Sequence, residues 1–136
     1  MLQPAHTEAA PRRLTCDILC AGAAQFARMT QTGEVTLLSP QQAKLLSGKA
    51  AYLVCHAPYI RARLGVDDLD ALDALELFAF VHPGKFCVPT PVGLARALGQ
   101  TIPETLEDHP FSLMQSVDYM LDDLRGKKDR ETILNI

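Results

Sequence analysis

The chain has 136 residues, 48% of them apolar, with 13 Lys and Arg against 16 Asp and Glu and a formal net charge of −3. That length and apolar content suit one domain with a real core, and the absence of Trp leaves most of the packing to aliphatic side chains. No apolar run reaches the roughly 18 residues of a membrane helix and the N-terminus has no signal-peptide apolar region, so a cytoplasmic protein without a membrane partner is expected.

The charge is uneven. Residues 1–63 hold seven Lys and Arg against three Asp and Glu, whereas residues 64–136 hold six against thirteen. A mildly basic half without a Lys/Arg cluster is a faint footprint for nucleic acid, and ordinary solvated surface explains it as well.

Residues 1–11 are polar, contain two prolines and have no periodicity, so they read as a flexible tail. Residues 14–21 follow as a strand whose even positions, Leu14, Cys16, Ile18 and Cys20, share one face. Gly22-Ala-Ala24 is a turn, residues 25–30 a second strand, and Thr32-Gly33-Glu34 a hairpin before a third strand at residues 35–38. Ser39-Pro40 then opens a helix that Gly48 closes.

Residues 50–55 are predicted to form a strand buried on both faces, and Pro58 opens a short helix that stops at Gly65. Asp67, Asp68 and Asp70 form a loop or a first helical turn, and residues 73–81 are favoured as a helix. His82-Pro83-Gly84 ends it, and Thr90 caps another helix over residues 92–98 with Gly99 after it. The longest predicted helix covers residues 110–124, with Phe111, Met114, Val117, Met120, Leu121 and Leu124 as its apolar stripe. Gly126 and the charged residues after it read as its end. A second parallel strand is expected near residues 69–72 or 86–88.

Cys16, Cys20, Cys55 and Cys87 lack the paired C-x2-C spacing of a zinc site, so free thiols are expected. Gly48-Lys49-Ala50 and Gly84-Lys85-Phe86 lack the spacing and hydroxyl of a phosphate-cradling loop. No cofactor is expected in this chain.

Tyr52-Leu-Val-Cys-His-Ala-Pro-Tyr-Ile-Arg61, followed by Asp73-Ala-Leu-Glu-Leu77, resembles the middle of a DEDDh-type 3′–5′ exonuclease domain. In that family the strand end reads H-N-A-x-F-D and the next element opens D-T-L-E-L. The resemblance implies an α/β, RNase H-like fold: a three-stranded antiparallel meander, then helix-separated strands and a helical C-terminal half. Such nucleases hold two metal ions about 4 Å apart with four carboxylates.

Position by position, the chemistry does not survive. Asp17-Ile-Leu-Cys-Ala-Gly22 stands for D-x-E-T-T-G, keeping Asp17 and placing Leu19 at the glutamate. His56-Ala-Pro-Tyr-Ile-Arg61 puts a cation at the second acid, and His109-Pro-Phe-Ser-Leu-Met114 puts Met114 at the last one. Asp17, Leu19, His56, Arg61, His109 and Met114 are therefore the remnant-site positions, and no catalytic or metal-binding residue is expected.

A narrower resemblance covers residues 50–125, with Phe86-Cys-Val-Pro-Thr-Pro91 its most specific part. It is similar to the N-terminal region of bacterial DinG-type, XPD-like ATP-dependent DNA helicases, in which an exonuclease-like domain precedes the motor. This implies a degenerate exonuclease-like domain over residues 12–125, with residues 126–136 starting a linker to a helicase motor. The partners implied are that motor and single-stranded DNA.

Arg61, Arg63 and Lys85 are the candidates for nucleic-acid contact, against the simpler reading of solvated cations without an aromatic platform. His56, His82 and His109 read first as structural histidines, and the acids at 67, 68, 70, 73 and 76 as a solvated face. Three functions remain open: a non-catalytic helicase accessory domain, which is favoured; an exonuclease with an atypical metal site built from Asp17, Asp73 and other acids; and a stand-alone protein-interaction domain.

Overall fold

The alternation in residues 16–21 places one set of side chains on each side of a central strand, and the rest of the chain covers both faces. The computed structural model describes residues 15–134, with side chains from 15 to 126. The predicted tail and Leu14 lie outside the described residues. β1 (Asp17–Ala21), β2 (Phe26–Met29) and β3 (Val35–Leu38) form the expected meander. The Gly22 N–H donates to the Gln25 carbonyl at 2.7 Å to close the first turn, and Gly33 takes a φ of 93° in the second.

Ser39 begins α1 (Pro40–Ser47) with a reciprocal capping box: its hydroxyl accepts from the Gln42 N–H, and the Gln42 side chain accepts from the Ser39 N–H. β4 (Tyr52–Val54) and α2 (Ala57–Leu64) follow, and α2 stops at Gly65 with a φ of 72°. β5 (Ala71–Asp73) then runs directly into α3 (Ala74–Val81). The extra parallel strand is thus at the first of its two expected places, and residues 86–88 are not a strand.

α4 (Pro91–Ala97) carries Thr90 as its cap, and a short 3-10 turn (Leu106–Asp108) leads into α5 (His109–Leu134). Two expectations for the last helix are corrected. It continues past Gly126 to Leu134, since a helical glycine costs only about 1 kcal/mol and its neighbours are good helix formers. Its apolar stripe runs as expected through Met114, Val117, Met120, Leu121 and Leu124, which pack on the core, except at its start, where Phe111 is half exposed and Leu113 is the buried residue.

The sheet order is β3-β2-β1-β4-β5. β1 is parallel to β4 and β4 to β5, whereas β2 runs antiparallel to both of its neighbours, so it alone is reversed. Alternation divides the core in two. Ile18, Cys20, Leu53 and Cys55 face α3, α4 and α5, while Leu19, Phe26, Tyr52 and Val54 face α1 and α2. The result is a mixed α/β fold with helices on both faces. Among the described residues no helix is long and apolar enough to cross a membrane.

Candidate functional site

The parallel register Asp17↔Tyr52, Ile18↔Leu53 places Cys20 beside Cys55 when carried two residues further. Both thiols point to the α5 side of the sheet, at the carboxyl ends of the two central strands. A cleft of about 440 Å³ opens there, lined among others by Cys20, Cys55, His56, Tyr59, Thr90 and His109. In open α/β sheets the carboxyl ends of the strands are where ligands settle, because the loops diverge there.

Local backbone geometry presents these groups. β4 leaves the sheet through His56, whose φ of 69° is left-handed, a conformation that costs a non-glycine residue about 1–2 kcal/mol. Asp73 at the end of β5 holds that turn: its carboxylate accepts from the N–H groups of His56 at 2.9 Å and Ala57 at 2.7 Å. The same carboxylate accepts from the Leu75 N–H at 3.0 Å and so caps α3. The His56 and Tyr59 rings stack with centroids 6.0 Å apart and planes 8° apart. The Tyr59 hydroxyl accepts from the Arg63 guanidinium at 2.8 Å.

Burial sets the chemistry of the cleft wall. It pushes the Cys55 thiol up to about 12, helped by the Asp73 carboxylate, and the Cys20 thiol higher still, with Cys55 adding to it. Neither thiol is a thiolate at neutral pH, so neither is a ready nucleophile. Burial also holds the His109 imidazole below its usual range, against a smaller opposing pull from Asp108. Its Nδ1 is buried without a hydrogen-bond partner among the described residues.

Among the described residues no carboxylate lines this cleft, and no group of three or more His, Cys, Asp or Glu could hold a metal ion. Thiols, imidazoles and ring faces suit contact with a flat or apolar group, whereas hard divalent cations want oxygen ligands.

The predicted site residues separate. His56 and His109 both line the cleft. Asp17 lies at the other end of β1, about 10 Å of strand from Cys20, and its carboxylate pairs with the Arg28 guanidinium at 2.7 Å. Leu19 is buried on the α1/α2 face, and Met114 packs against the core on α5. The strand position that opens into the cleft is Cys20, three residues beyond Asp17.

Arg63 is a brace. Its guanidinium donates to Tyr59 and to the Ala23 carbonyl, and lies over the Phe26 ring at 5.4 Å. Arg61 is partly exposed and its side chain makes no hydrogen bond or ion pair with a described residue. Lys85 is exposed in the turn after α3, and its N–H donates to the His82 carbonyl at 3.2 Å. The three cations therefore do not form one patch lining the cleft.

Cys20, Cys55, Tyr59 and Thr90 were not singled out as site residues by motif. The available signal was a cysteine near the end of each of two apolar strand segments, Cys20 next to last in β1 and Cys55 just after β4.

No relatives were found. Neither a protein-family model, nor a curated protein, nor a solved structure significantly matches this chain.

Proposed function

We propose that this chain is an RNase H-like domain with a retired nuclease site, serving as a non-catalytic accessory domain that positions the motor of an ATP-dependent DNA helicase. Two things support the fold half of this reading. The antiparallel meander of β1, β2 and β3 followed by the helix-separated strands β4 and β5 is the arrangement that the resemblance implies. The motif resemblance from residue 52 to residue 77 falls on β4, α2, β5 and the start of α3, the segments that carry the corresponding motifs in DEDDh domains.

The observation that carries the functional half is the composition of the cleft. It lies at the carboxyl ends of β1 and β4 and presents Cys20, Cys55, His56 and His109, while none of the four aligned acid positions, Asp17, Leu19, Arg61 and Met114, lines it. Two-metal phosphodiester cleavage requires carboxylates that bind both ions and activate water. Thiols that burial keeps protonated, and a His109 imidazole whose burial disfavours its charged form, supply no such charge. Asp17, the one remnant acid kept in the alignment, is already engaged by Arg28.

The helicase half rests on the resemblance over residues 50–125 and is tested separately. The reading frame downstream of Ile136 is expected to encode a G-x4-G-K-[ST] motor sequence in the same polypeptide. A stop codon directly after Ile136 would contradict the assignment to a helicase. With a motor present, replacing Arg61 and Lys85 by Ala in the full chain is expected to leave single-stranded DNA affinity within about twofold, because neither cation lines the cleft.

A further inference from the structure

The sheet ends at β5, and the phase of its ladder leaves a defined set of groups unused. The Tyr52 N–H donates to the Asp70 carbonyl at 3.0 Å, within the parallel register Tyr52↔Ala71, Leu53↔Leu72, Val54↔Asp73. Alternate residues of a strand direct their N–H and C=O groups to the same side. Those of Asp70 and Leu72 therefore face β4, and those of Ala71 and Asp73 face outward. No described strand pairs with that outer side.

The edge has a receptor beside it. Leu72 is 54% exposed and shares the α5 face with its partner Leu53. A groove of about 400 Å³ runs there between Leu53, Leu72, Leu77, Val117 and Leu121, with Glu76 among its lining residues. An open strand edge next to an apolar groove is the arrangement that takes an added strand: the main chain pairs, and alternate side chains enter the groove. Acids surround it. Asp67, Asp68 and Asp70 precede the strand and Glu76 follows it, all exposed and none ion-paired with a described residue. Guarding the edge against self-association explains the acids alone, but not the apolar groove beside it.

We propose that the β5 edge is a docking site for an extended segment of a basic partner protein, a strand with alternate apolar residues and Lys or Arg between them. The charge selects this occupant. A second copy would bring the same acids to the edge, and residues 64–136 carry thirteen acids against six bases. The inference does not depend on the nuclease-like reading.

The test uses the full chain, labelled with ¹⁵N and titrated with a blocked heptapeptide of alternating lysine and valine. Amide shifts are expected at Ala71, Leu72, Asp73 and Leu77, with affinity falling at least roughly tenfold at high salt. The matching glutamate–valine peptide is expected to give none. Ala71→Pro removes an outward N–H that β4 does not use, so it is expected to keep the fold and abolish the shifts. Should that variant misfold, Asp67→Asn, Asp68→Asn and Glu76→Gln together are expected to weaken binding about tenfold or more. Equal binding of the glutamate–valine peptide, or shifts confined to the cleft at His56 and His109, would overturn the proposal. A concentration-dependent dimer lost in the Asp68→Lys variant would instead give the edge to a second copy, and peptide binding seen only after removal of residues 1–14 would give it to the chain's own N-terminus.

Discussion

The carboxylate of Asp73 accepts a hydrogen bond from the main-chain N–H of His56 at 2.9 Å, and its second oxygen accepts from Ala57 at 2.7 Å. Asp73 ends β5 and caps α3, while His56 ends β4 and precedes α2. One carboxylate therefore fixes two strand-to-helix junctions, and with them the wall of the cleft. An acid that could be enlisted for an atypical metal site is committed to holding the backbone.

Asp73→Ala removes the acceptor for three N–H groups at two partly buried helix starts. Hydrogen bonds to charged groups contribute about 1.5–3 kcal/mol each and a lost N-cap about 1, with overlap between them, so a loss of about 2–4 kcal/mol is expected. Urea unfolding measures it. Asp73→Asn keeps an acceptor for part of the set and is expected to fall between the variant and the parent.

His56 holds a left-handed conformation without being glycine. His56→Gly and His56→Ala both delete the ring stacked on Tyr59, so their difference isolates the backbone. The glycine variant is expected to be the more stable by about 1 kcal/mol. Equal midpoints in thermal melts would show that the turn is not strained in solution.

His109 gives a pH signature. Its folded-state value lies below 6.5, chiefly through burial, so the unfolded chain binds the proton more readily. The stability it contributes is complete above 6.5 and is lost as the pH falls from there through the folded-state value. Unfolding midpoints measured from pH 8 to pH 5 are expected to fall in the parent, and to fall less steeply in His109→Gln.

The thiols behave oppositely. Burial raises Cys55 from 9.0 to about 12, so its contribution is complete below 9 and is lost as the pH climbs through about 12. Cys20 and Cys55 are expected to react with iodoacetamide at pH 8 only as fast as the chain opens, whereas the partly exposed Cys87 reacts sooner. Mass spectrometry of timed samples separates the sites.

Much of the fold was legible because its signals are local. The helix start at Ser39-Pro40, the stop at Gly65 and the hairpin at Gly33 each depend on a few adjacent residues. β5 has three residues, too short to show a period, and was legible only as a place where a strand was wanted. The last helix misled twice: Gly126 looks like a stop, and Phe111 looks like core when Leu113 is the buried residue.

The site was half legible. His56 and His109 stand at element boundaries that the sequence marks, and both line the cleft. A motif counts positions along one strand and so marks Asp17, whereas the partner of its carboxylate, Arg28, comes from the neighbouring strand. The pairing of Cys20 with Cys55 depends on the register between strands more than thirty residues apart, which no local pattern carries.

A cleft lined by thiols and imidazoles, as proposed for a retired nuclease site, should leave DNA uncut. The most direct measurement is incubation of the purified chain with a 3′-tailed single-stranded DNA and Mn²⁺, followed on a denaturing gel. Intact substrate is expected, unchanged in Asp17→Ala. Stepwise shortening from the 3′ end that requires the metal and disappears in Asp17→Ala would contradict it.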